Sequence, residues 1–341
     1  MDSYTPIDMV QTKTLVPRRP DHLLTRSRLI DMLYDILDYR LYILTAPAGY
    51  GKTSILVDWV KQAELPVSWY ALDELDCEPH RFFTYFINAL AKNFPQFGLA
   101  SRLALQNMTK NLDVQRLVNF VVNDAYENIQ EQFVLILDDY HLLDNNEEID
   151  AFISSFVQQV DENCHLVMAS RTLPSLPEMP LMVARSQAGG LGFEELAFTR
   201  GEIKALALQN YHLDLPEAEA EALVNETEGW ITGVLLSTQP TWQGIADRIR
   251  GIRSTGTELN DYMQQQVLDK QPSAVQDFLL KTSLLEEFNA ALCKAVFGGT
   301  QDWQNLMNST QHSNLFVLSV GKDGSWLRYH HLFLQFLQDV M

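Results

Sequence analysis

A glycine-rich loop between a strand pattern and a helix pattern constrains this chain more than any other feature. The apolar run Leu41–Thr45 predicts a strand, residues 46–53 read A-P-A-G-Y-G-K-T, and apolar residues at helical spacing follow. Such glycines let backbone N–H groups turn toward a phosphate, while Lys52 reaches the outer phosphates and the Thr53 hydroxyl binds Mg²⁺. Ala46 stands where the G-x-x-x-x-G-K-S/T pattern has its first glycine, and the alternative is a turn with an incidental lysine. The predicted phosphate-contacting residues are Ala48, Gly49, Tyr50, Gly51, Lys52, Thr53 and Ser54.

Two further strand patterns end in charged residues. The apolar run 133–137 is followed by Asp138 and Asp139, and the run 165–169 is followed by Ser-Arg171. Ligands of open parallel sheets bind at the carboxyl ends of the strands. Asp138 is therefore predicted to bind Mg²⁺ through coordinated water, and Asp139 to orient the attacking water, with a loop-capping role as its alternative. Arg171 is predicted to contact the γ-phosphate, and its alternative is a surface ion pair.

Composition limits the class of protein. At 341 residues the chain should hold two or three domains, and its 46% apolar residues suffice for folded cores. The net charge of −19 argues against bulk attraction to nucleic acid or an anionic membrane. The three cysteines lack metal-binding spacing, and no signal peptide or membrane-length apolar run is present. The sequence therefore predicts a cytoplasmic protein without membrane contact. A local basic cluster consists of Arg18, Arg19, Arg26 and Arg28.

The first part of the chain alternates strand and helix patterns, which is typical of a doubly wound parallel sheet. Residues 1–20 are predicted to form an extended arm, and aromatic residues such as Trp69, Tyr70 and those within 82–86 have the spacing of core residues. Further strands are predicted at 66–72 and near 192–197. Helices are predicted at 24–37, 79–93, 114–129 and 147–160.

From Phe198 the chain shows helical periodicity alone, followed by a hairpin pattern. Thr199 and Glu202 form a predicted capping box, and residues 254–257 resemble a joint. Helices are predicted at 201–210, 216–228, 258–268, 274–279, 289–297 and 331–340. A β-hairpin is predicted from 315–319 and 326–329, with its turn at 321–324. Helices followed by a hairpin are typical of a winged-helix module.

With these motifs assembled, the chain resembles the N-terminal module of the MalT-type regulators, in the STAND class of signal-transduction ATPases. The matching stretches read LLTRSRL (23–29), TAPAGYGKT (45–53), LILDDYHLL (135–143), ASR (169–171), FTRGE (198–202), EGW (228–230), TSLLEEF (282–288) and RYHHLF (328–333). The resemblance implies an α/β P-loop NTPase domain at 1–197 with a doubly wound parallel sheet, a helical lid at 198–253 and a winged-helix domain at 254–341. It also implies that the Arg171 strand lies between the P-loop and Asp138 strands.

The resemblance carries further site residues over by position. It implies that Arg26, with the backbone around Leu24, frames the adenine. His330 or His331 matches a winged-helix histidine that contacts the β-phosphate of ADP, with His330 preferred. An imidazole that faces phosphates should be held protonated by their charge. Ile231 replaces a proline that packs on the adenine in relatives, so this lid contact differs here.

The function implied is a switch that binds ATP or ADP with Mg²⁺. The ADP form is expected to rest closed, and the ATP form to open and self-associate, with slow hydrolysis as the reset. Inducer sensing and DNA binding are expected on C-terminal domains absent from this sequence, so the chain is expected to be a truncated or unusually short member. The alternative is a faster P-loop ATPase or kinase whose C-terminal half holds a substrate. DNA reading by the winged helix is disfavoured, because the residues at 274–297 include few basic side chains.

Overall fold

The computed structural model describes residues 9–108, 113–143, 146–238, 257–299, 301–320 and 325–341. Its contacts divide the chain into two compact units. The first unit comprises the residues up to Thr45 together with Lys52–Gly192. The second comprises Phe193–Met341 together with Ala46–Gly51, which we call the phosphate loop. Residues 254–256 of the predicted joint at 254–257 and the predicted hairpin turn at 321–324 lie outside the described residues, and Thr257 begins a helix.

Among its described residues, the first unit contains five parallel strands. They are Leu41–Thr45 (β1), Val67–Ala71 (β2), Phe133–Asp138 (β3), Cys164–Ser170 (β4) and Ala188–Leu191 (β5). The strand order is β2-β3-β4-β1-β5. The predicted parallel sheet is confirmed. The predicted position of β4, the strand before Arg171, is confirmed as well, because it lies between β1, which precedes the phosphate loop, and β3, which precedes Asp139. This order brings Asp138 and Ser170 to one edge of the sheet, because all the strands run in one direction.

The helices of the first unit are Ser27–Leu33 (α1), Lys52–Val60 (α2), Pro79–Asn93 (α3), Leu99–Asn107 (α4), Val114–Asn128 (α5), Glu147–Gln159 (α6) and Met179–Ala184 (α7). The helices predicted at 79–93, 114–129 and 147–160 are present, whereas the helix predicted at 24–37 is α-helical only at Ser27–Leu33, and the helices Leu99–Asn107 and Met179–Ala184 were not predicted. Short 3₁₀ helices span Gln11–Thr14, Tyr34–Asp38, Glu74–Cys77 and Tyr140–Leu143. Side-chain caps explain several starts, since Asp113 accepts from Arg116 N–H and Asn146 accepts from Ile149 N–H.

Two local predictions for the first part of the chain are wrong. The last strand lies at Ala188–Leu191 rather than near 192–197, where a short helix forms instead. Gly190 explains this register, since a Cβ there would lie 2.1 Å from the Ile43 carbonyl oxygen of β1. The arm is also not fully extended, because Lys13 in the Gln11–Thr14 helix is buried between Asp73 and Asp76.

Aromatic side chains fill the core of the first unit. Phe82, Phe83 and Phe86 on α3 pack with Phe152 and Phe156 on α6, with ring centroids 4.7–6.4 Å apart. Burial of each such ring contributes on the order of 1.5–3 kcal/mol. Trp69 and Tyr70 on β2 are buried as well. The sequence prediction that these aromatic residues are packing residues is confirmed.

The described residues of the second unit are mostly helical. The helices are Phe193–Leu196 (α8), Arg200–Tyr211 (α9), Glu217–Thr227 (α10), Ile231–Thr238 (α11), Thr257–Met263 (α12), Ser273–Thr282 (α13), Ala290–Phe297 (α14), Trp303–His312 (α15) and His331–Val340 (α16). The predicted capping box is present, with reciprocal bonds between Thr199 and Glu202. The predicted helix 258–268 is α-helical only in α12, because Gln264–Leu268 continues it as a π-helix.

An antiparallel hairpin completes the second unit. Val317–Val320 (β6) pairs with Trp326–Tyr329 (β7), as predicted, and Phe288 forms a bridge to Leu327. The order of α13, α14, α15, hairpin and α16 has the helix-then-wing pattern that the sequence indicates. In the part of the chain that the structure describes, no helix combines the length and apolar character needed to cross a bilayer.

Candidate functional site

The hydroxyl of Thr53 and the carboxylate of Asp138 meet in the first unit. Thr53 lies in the first turn of α2 and donates to Asp138 Oδ1 at 3.0 Å. Burial, and then the neighbouring Asp139, raise the pKa of Asp138 to about 7, although the Thr53 bond and Lys52 oppose the rise. Hydroxyl and carboxylate oxygens are the hard ligands that Mg²⁺ prefers. The donor set therefore fits the predicted Mg²⁺.

Two cations, Lys52 and Arg171, interact with each other beside this site. Lys52 is buried at the start of α2, and burial lowers the pKa of its ammonium to about 8. Arg171, which follows β4, lowers it as well, while Asp139 and Asp138 raise it. The first unit therefore brings together five of the residues that the sequence predicted for phosphate chemistry, namely Lys52, Thr53, Asp138, Asp139 and Arg171. The shifted pKa values of Lys52 and Asp138 are typical of a functional site.

The chain turns sharply after β3. Asp139 adopts the left-handed backbone region with φ 61°, a conformation that Asp tolerates better than most residues. The turn brings His141 Nδ1 to 3.9 Å from Asp139 Oδ1. Burial lowers the pKa of His141 to about 3, with Arg171 and Lys52 adding to the effect. His141 is therefore neutral, and its Nδ1 has no hydrogen-bond partner within the described residues. Sequence reasoning did not single out His141.

Residues 21–26 lie next to helix α2 in the first unit, without helix or strand of their own. Arg26 is buried, and its carbonyl accepts from Leu29 and Ile30 N–H at the start of α1. Leu24 is half-buried. Arg19 and Asp58 contact this segment, and neither was among the predicted site residues.

The phosphate loop contacts the segment that follows α10 within the second unit. The Trp230 indole N–H donates to the Ala48 carbonyl at 2.9 Å, and the Thr232 hydroxyl donates to the Gly49 carbonyl at 3.1 Å. Gly49 has φ 81°, and a Cβ there would lie 2.3 Å from Thr232 Oγ1. Both bonds use carbonyl groups of the loop and none of its N–H groups. A phosphate-binding loop turns its N–H groups toward the phosphate.

Trp230 is completely buried and connects the phosphate loop to the C-terminal part of the unit. Its ring lies 5.1 Å from Phe316 and 6.1 Å from His330, both edge-to-face. Tyr262 on α12 lies 5.9 Å away. One indole therefore separates His330 from the loop carbonyl of Ala48. Sequence reasoning placed the EGW motif in the lid but assigned Trp230 no contact.

The two consecutive histidines have different surroundings. His330 Nε2 donates to the Thr227 carbonyl at 2.8 Å, and its Nδ1 accepts from Leu332 N–H at the start of α16. Burial lowers the pKa of His330, which favours the neutral imidazole. His331 stacks on it at 5.4 Å, and 42% of its side chain is exposed. The predicted phosphate contact and protonated state of His330 stay predictions, but both of its nitrogens already have protein partners.

Glu228 joins the end of α10 to the hairpin. Arg328 on β7 binds it through two hydrogen bonds of 3.0 and 2.9 Å. Burial by itself raises the pKa of Glu228, but Arg328 and His330 outweigh burial and lower it. A cavity of about 490 Å³ lies beside this pair and is also lined by Tyr50 and Phe193.

Glu228, His330 and His331 also offer metal-ligand atoms within 4.8 Å of one another. The arrangement does not fit a metal, because Glu228 is engaged by Arg328 and both nitrogens of His330 are hydrogen-bonded.

Comparisons with known proteins agree with the motifs. Residues 264–341 match the MalT winged helix domain family. The HTH-type transcriptional regulator MalT of Yersinia pestis (strain Pestoides F) is 32% identical over 339 residues, and that of Yersinia enterocolitica serotype O:8 is 30% identical. Each alignment covers 97% of this chain and 36% of the relative. The chain therefore spans about a third of the length of these curated relatives.

A solved structure with the same fold is similar over most of the chain. The Walker-type ATPase of Pyrococcus abyssi aligns with a TM-score of 0.60, 14% identity, and coverage of 94% of this chain and 98% of that chain. At that identity the similarity concerns the fold alone. It agrees with the P-loop ATPase fold class predicted from the sequence.

Proposed function

Because this chain is MalT-like along 97% of its length and ends in a MalT winged helix domain, we propose that it is the nucleotide-dependent switch module of a transcriptional regulator. It rests with ADP in a closed form and opens with ATP, when it self-associates. The proposed domains are a nucleotide-binding domain at 1–197, a lid at 198–253 and a winged-helix domain at 254–341. Inducer and DNA sites belong to further domains of the complete regulator.

The observation that carries this proposal is the Trp230 contact. A buried indole that donates to the phosphate loop ties the position of the loop to the residues packed around that indole. Here Trp230 binds Ala48 and packs against His330 and Phe316, which belong to the winged-helix sequence match. A rearrangement of the loop on nucleotide exchange therefore acts directly on residues of the winged helix.

The phosphate contacts are proposed for the loop residues Ala48–Gly51 and the adjoining Lys52–Ser54. Burial destabilises the charged forms of Lys52 and Asp138, as their pKa directions indicate. A bound polyphosphate would stabilise the charged ammonium of Lys52, and a bound cation would stabilise the charged carboxylate of Asp138. Thr53 and Asp138 hold Mg²⁺, which supplies charge neutralisation at the phosphates.

The remaining first-unit residues have roles at the reacting phosphate. Arg171 binds the γ-phosphate, and Asp139 orients the attacking water. The side chain of Asp139 is half-exposed, and its neutral neighbour His141 cannot supply a second charge. We therefore expect slow turnover, which suits a switch better than a metabolic enzyme.

One histidine of the 330–331 pair contacts the β-phosphate of ADP. For His330 this requires its imidazole to leave the Thr227 carbonyl, whereas His331 is already partly exposed. The adenine is framed by Leu24 and Arg26. Moving the closed form from 99% to 1% requires about 5.5 kcal/mol of differential binding. A few charge-assisted hydrogen bonds of about 1.5–3 kcal/mol each suffice.

The decisive experiment is to denature freshly purified chain and identify the released nucleotide by chromatography. We expect close to one ADP per chain, and a nucleotide-free protein that binds no added ADP would overturn the proposal. Turnover is then measured with ATP and Mg²⁺. A rate above about 1 per second without an effector would favour the alternative of a P-loop enzyme with a bound substrate.

The histidine assignment needs its own pair of variants. His330→Ala and His331→Ala are compared for ADP affinity and for compactness by small-angle scattering. The variant that lowers ADP affinity and expands the protein identifies the phosphate-contacting residue. If both variants keep the affinity and the compact shape of the parent, neither histidine closes the switch.

A further inference from the structure

One guanidinium group organises the loop that precedes α1. Arg19 Nε donates to Asp58 Oδ1 at 2.5 Å, and its Nη2 donates to the Leu23 carbonyl at 2.8 Å and to Thr25 Oγ1 at 2.9 Å. Its Nη1 reaches the Pro20 carbonyl at 3.2 Å. All these residues belong to the first unit. A single side chain therefore holds residues 20–25 against helix α2.

The anchor of this arrangement is a buried carboxylate on the helix that follows the phosphate loop. Asp58 is 2% exposed, and its Oδ2 has no hydrogen-bond partner among the described residues. Thr25 Oγ1 also approaches Asp58 Oδ1, at 3.4 Å. Asp58 lies six residues after Lys52, which corresponds to about 9 Å along the helix. The loop is thus fixed at a defined distance from the start of α2.

The atoms that Arg19 binds lie on either side of Leu24, a residue of the proposed adenine frame. Arg19 holds the carbonyl of Leu23 and the side chain of Thr25, which enclose Leu24 and precede Arg26. Residues 21–26 form neither helix nor strand, so their position depends on such side-chain bonds. Loop residues that bind ligands need this kind of support from a rigid element.

We propose that Arg19, anchored by Asp58, is a positioning residue for recognition of the adenine base. It touches no nucleotide itself but holds Leu24, Thr25 and Arg26 where they frame the base. The inference rests on the proposed function, because it assumes that an adenine nucleotide binds. It adds that the ion pair between Arg19 and Asp58 on α2 positions the residues that recognise the base. These residues are separate from those that contact the phosphates.

Arginine is needed here for its shape as well as its charge. A planar guanidinium donates in several directions at once, whereas a lysine ammonium acts as a point charge on a flexible stem. Arg19→Lys therefore keeps a cation beside the buried Asp58 and preserves the fold. It loses the simultaneous bonds to Leu23 and Thr25, so the loop loosens while the phosphate residues keep their places.

The test compares two probes on the full chain, ADP and inorganic tripolyphosphate, by calorimetric titration after removal of bound nucleotide. For Arg19→Lys we expect ADP affinity to fall about tenfold, the equivalent of one lost hydrogen bond to a charged donor, with tripolyphosphate affinity unchanged. Arg18→Lys is the matched control, because Arg18 is exposed and adjacent. It should alter neither affinity. Thr25→Val, which removes one anchor, should lower ADP affinity less than Arg19→Lys does.

The outcomes separate the inference from the proposed function. If Arg19→Lys weakens both probes equally, or weakens neither, Arg19 has no separate role in base recognition and the inference is wrong. If the unaltered chain binds tripolyphosphate but not ADP, or binds neither probe, the proposed function fails and the inference fails with it. Thermal unfolding of each variant verifies that the loss of ADP binding does not reflect an unfolded protein.

Discussion

Two glycines of the phosphate loop share a backbone conformation but differ in surroundings. Gly49 has φ 81° and Gly51 has φ 82°, so alanine at either position costs about 1–2 kcal/mol of backbone strain. At Gly49 the new Cβ would also meet Thr232 Oγ1 and Trp230 Nε1, at 2.3 and 2.7 Å, whereas at Gly51 no described residue other than its chain neighbours has an atom within 4 Å of it. We expect Gly49→Ala to lower the free energy of unfolding by about 1–3 kcal/mol more than Gly51→Ala.

Chemical denaturation of the nucleotide-free chain measures this difference. Gly51→Ala serves as the control for strain alone. Equal denaturation midpoints for the two variants would mean that Trp230 and Thr232 do not contact the loop in solution.

His330 makes stability depend on pH in a defined direction. Burial lowers its pKa below the usual value of about 6.5, while Glu228 opposes the shift and His331 and Arg328 add to it. Between the two pKa values the unfolded chain holds a proton that the folded chain lacks, so the free energy of unfolding falls as the pH drops below about 6.5. The slope from this group is at most about 1.4 kcal/mol per pH unit.

The measurement is unfolding of wild type and His330→Gln between pH 5 and 8. The difference between the two proteins isolates His330 from other titrating groups. We expect the wild type to lose more stability in acid, because protonation of Nδ1 places a hydrogen against Leu332 N–H. A difference that does not change with pH would contradict the buried, neutral imidazole.

At the scale of elements, the ion pair between Glu228 and Arg328 connects the end of α10 to β7. Its geometry is bidentate, but 39% of the Arg328 side chain is exposed, so solvent screens the attraction. A double-mutant cycle with Glu228→Ala and Arg328→Ala should give a coupling of about 1 kcal/mol. The exposed pair of Arg200 and Glu217 is the matched control and should give a smaller coupling. A coupling close to zero for Glu228 and Arg328 would show that this ion pair does not join α10 to the hairpin in solution.

At the scale of the whole molecule, the proposed switch predicts nucleotide-dependent self-association. Sedimentation velocity should find monomers with ADP and larger species with a non-hydrolysable ATP analogue and Mg²⁺. Because each chain carries a net charge of −19, copies repel at low ionic strength, and association should strengthen as salt rises toward physiological levels. Lys52→Ala, which removes the phosphate-binding ammonium, is the control and should stay monomeric. Monomers under every condition would contradict the opening model.

The sequence by itself determined those features that depend on local patterns. The run Leu41–Thr45, the loop motif and the aspartates after 133–137 predicted the parallel sheet and the residues at its carboxyl edge, because strand periodicity and glycine chemistry act over a few neighbouring residues. Caps such as Thr199 with Glu202 were equally local.

Only the tertiary structure decided which distant residues meet. Trp230 with Ala48, Arg19 with Asp58 and Glu228 with Arg328 are separated by 182, 39 and 100 positions. Nothing in the local pattern around Trp230 indicates a partner in the phosphate loop, and the proton state of His330 depends on the Thr227 carbonyl and on burial. Long-range hydrogen bonds and desolvation arise from the packed chain, so no local pattern carries them.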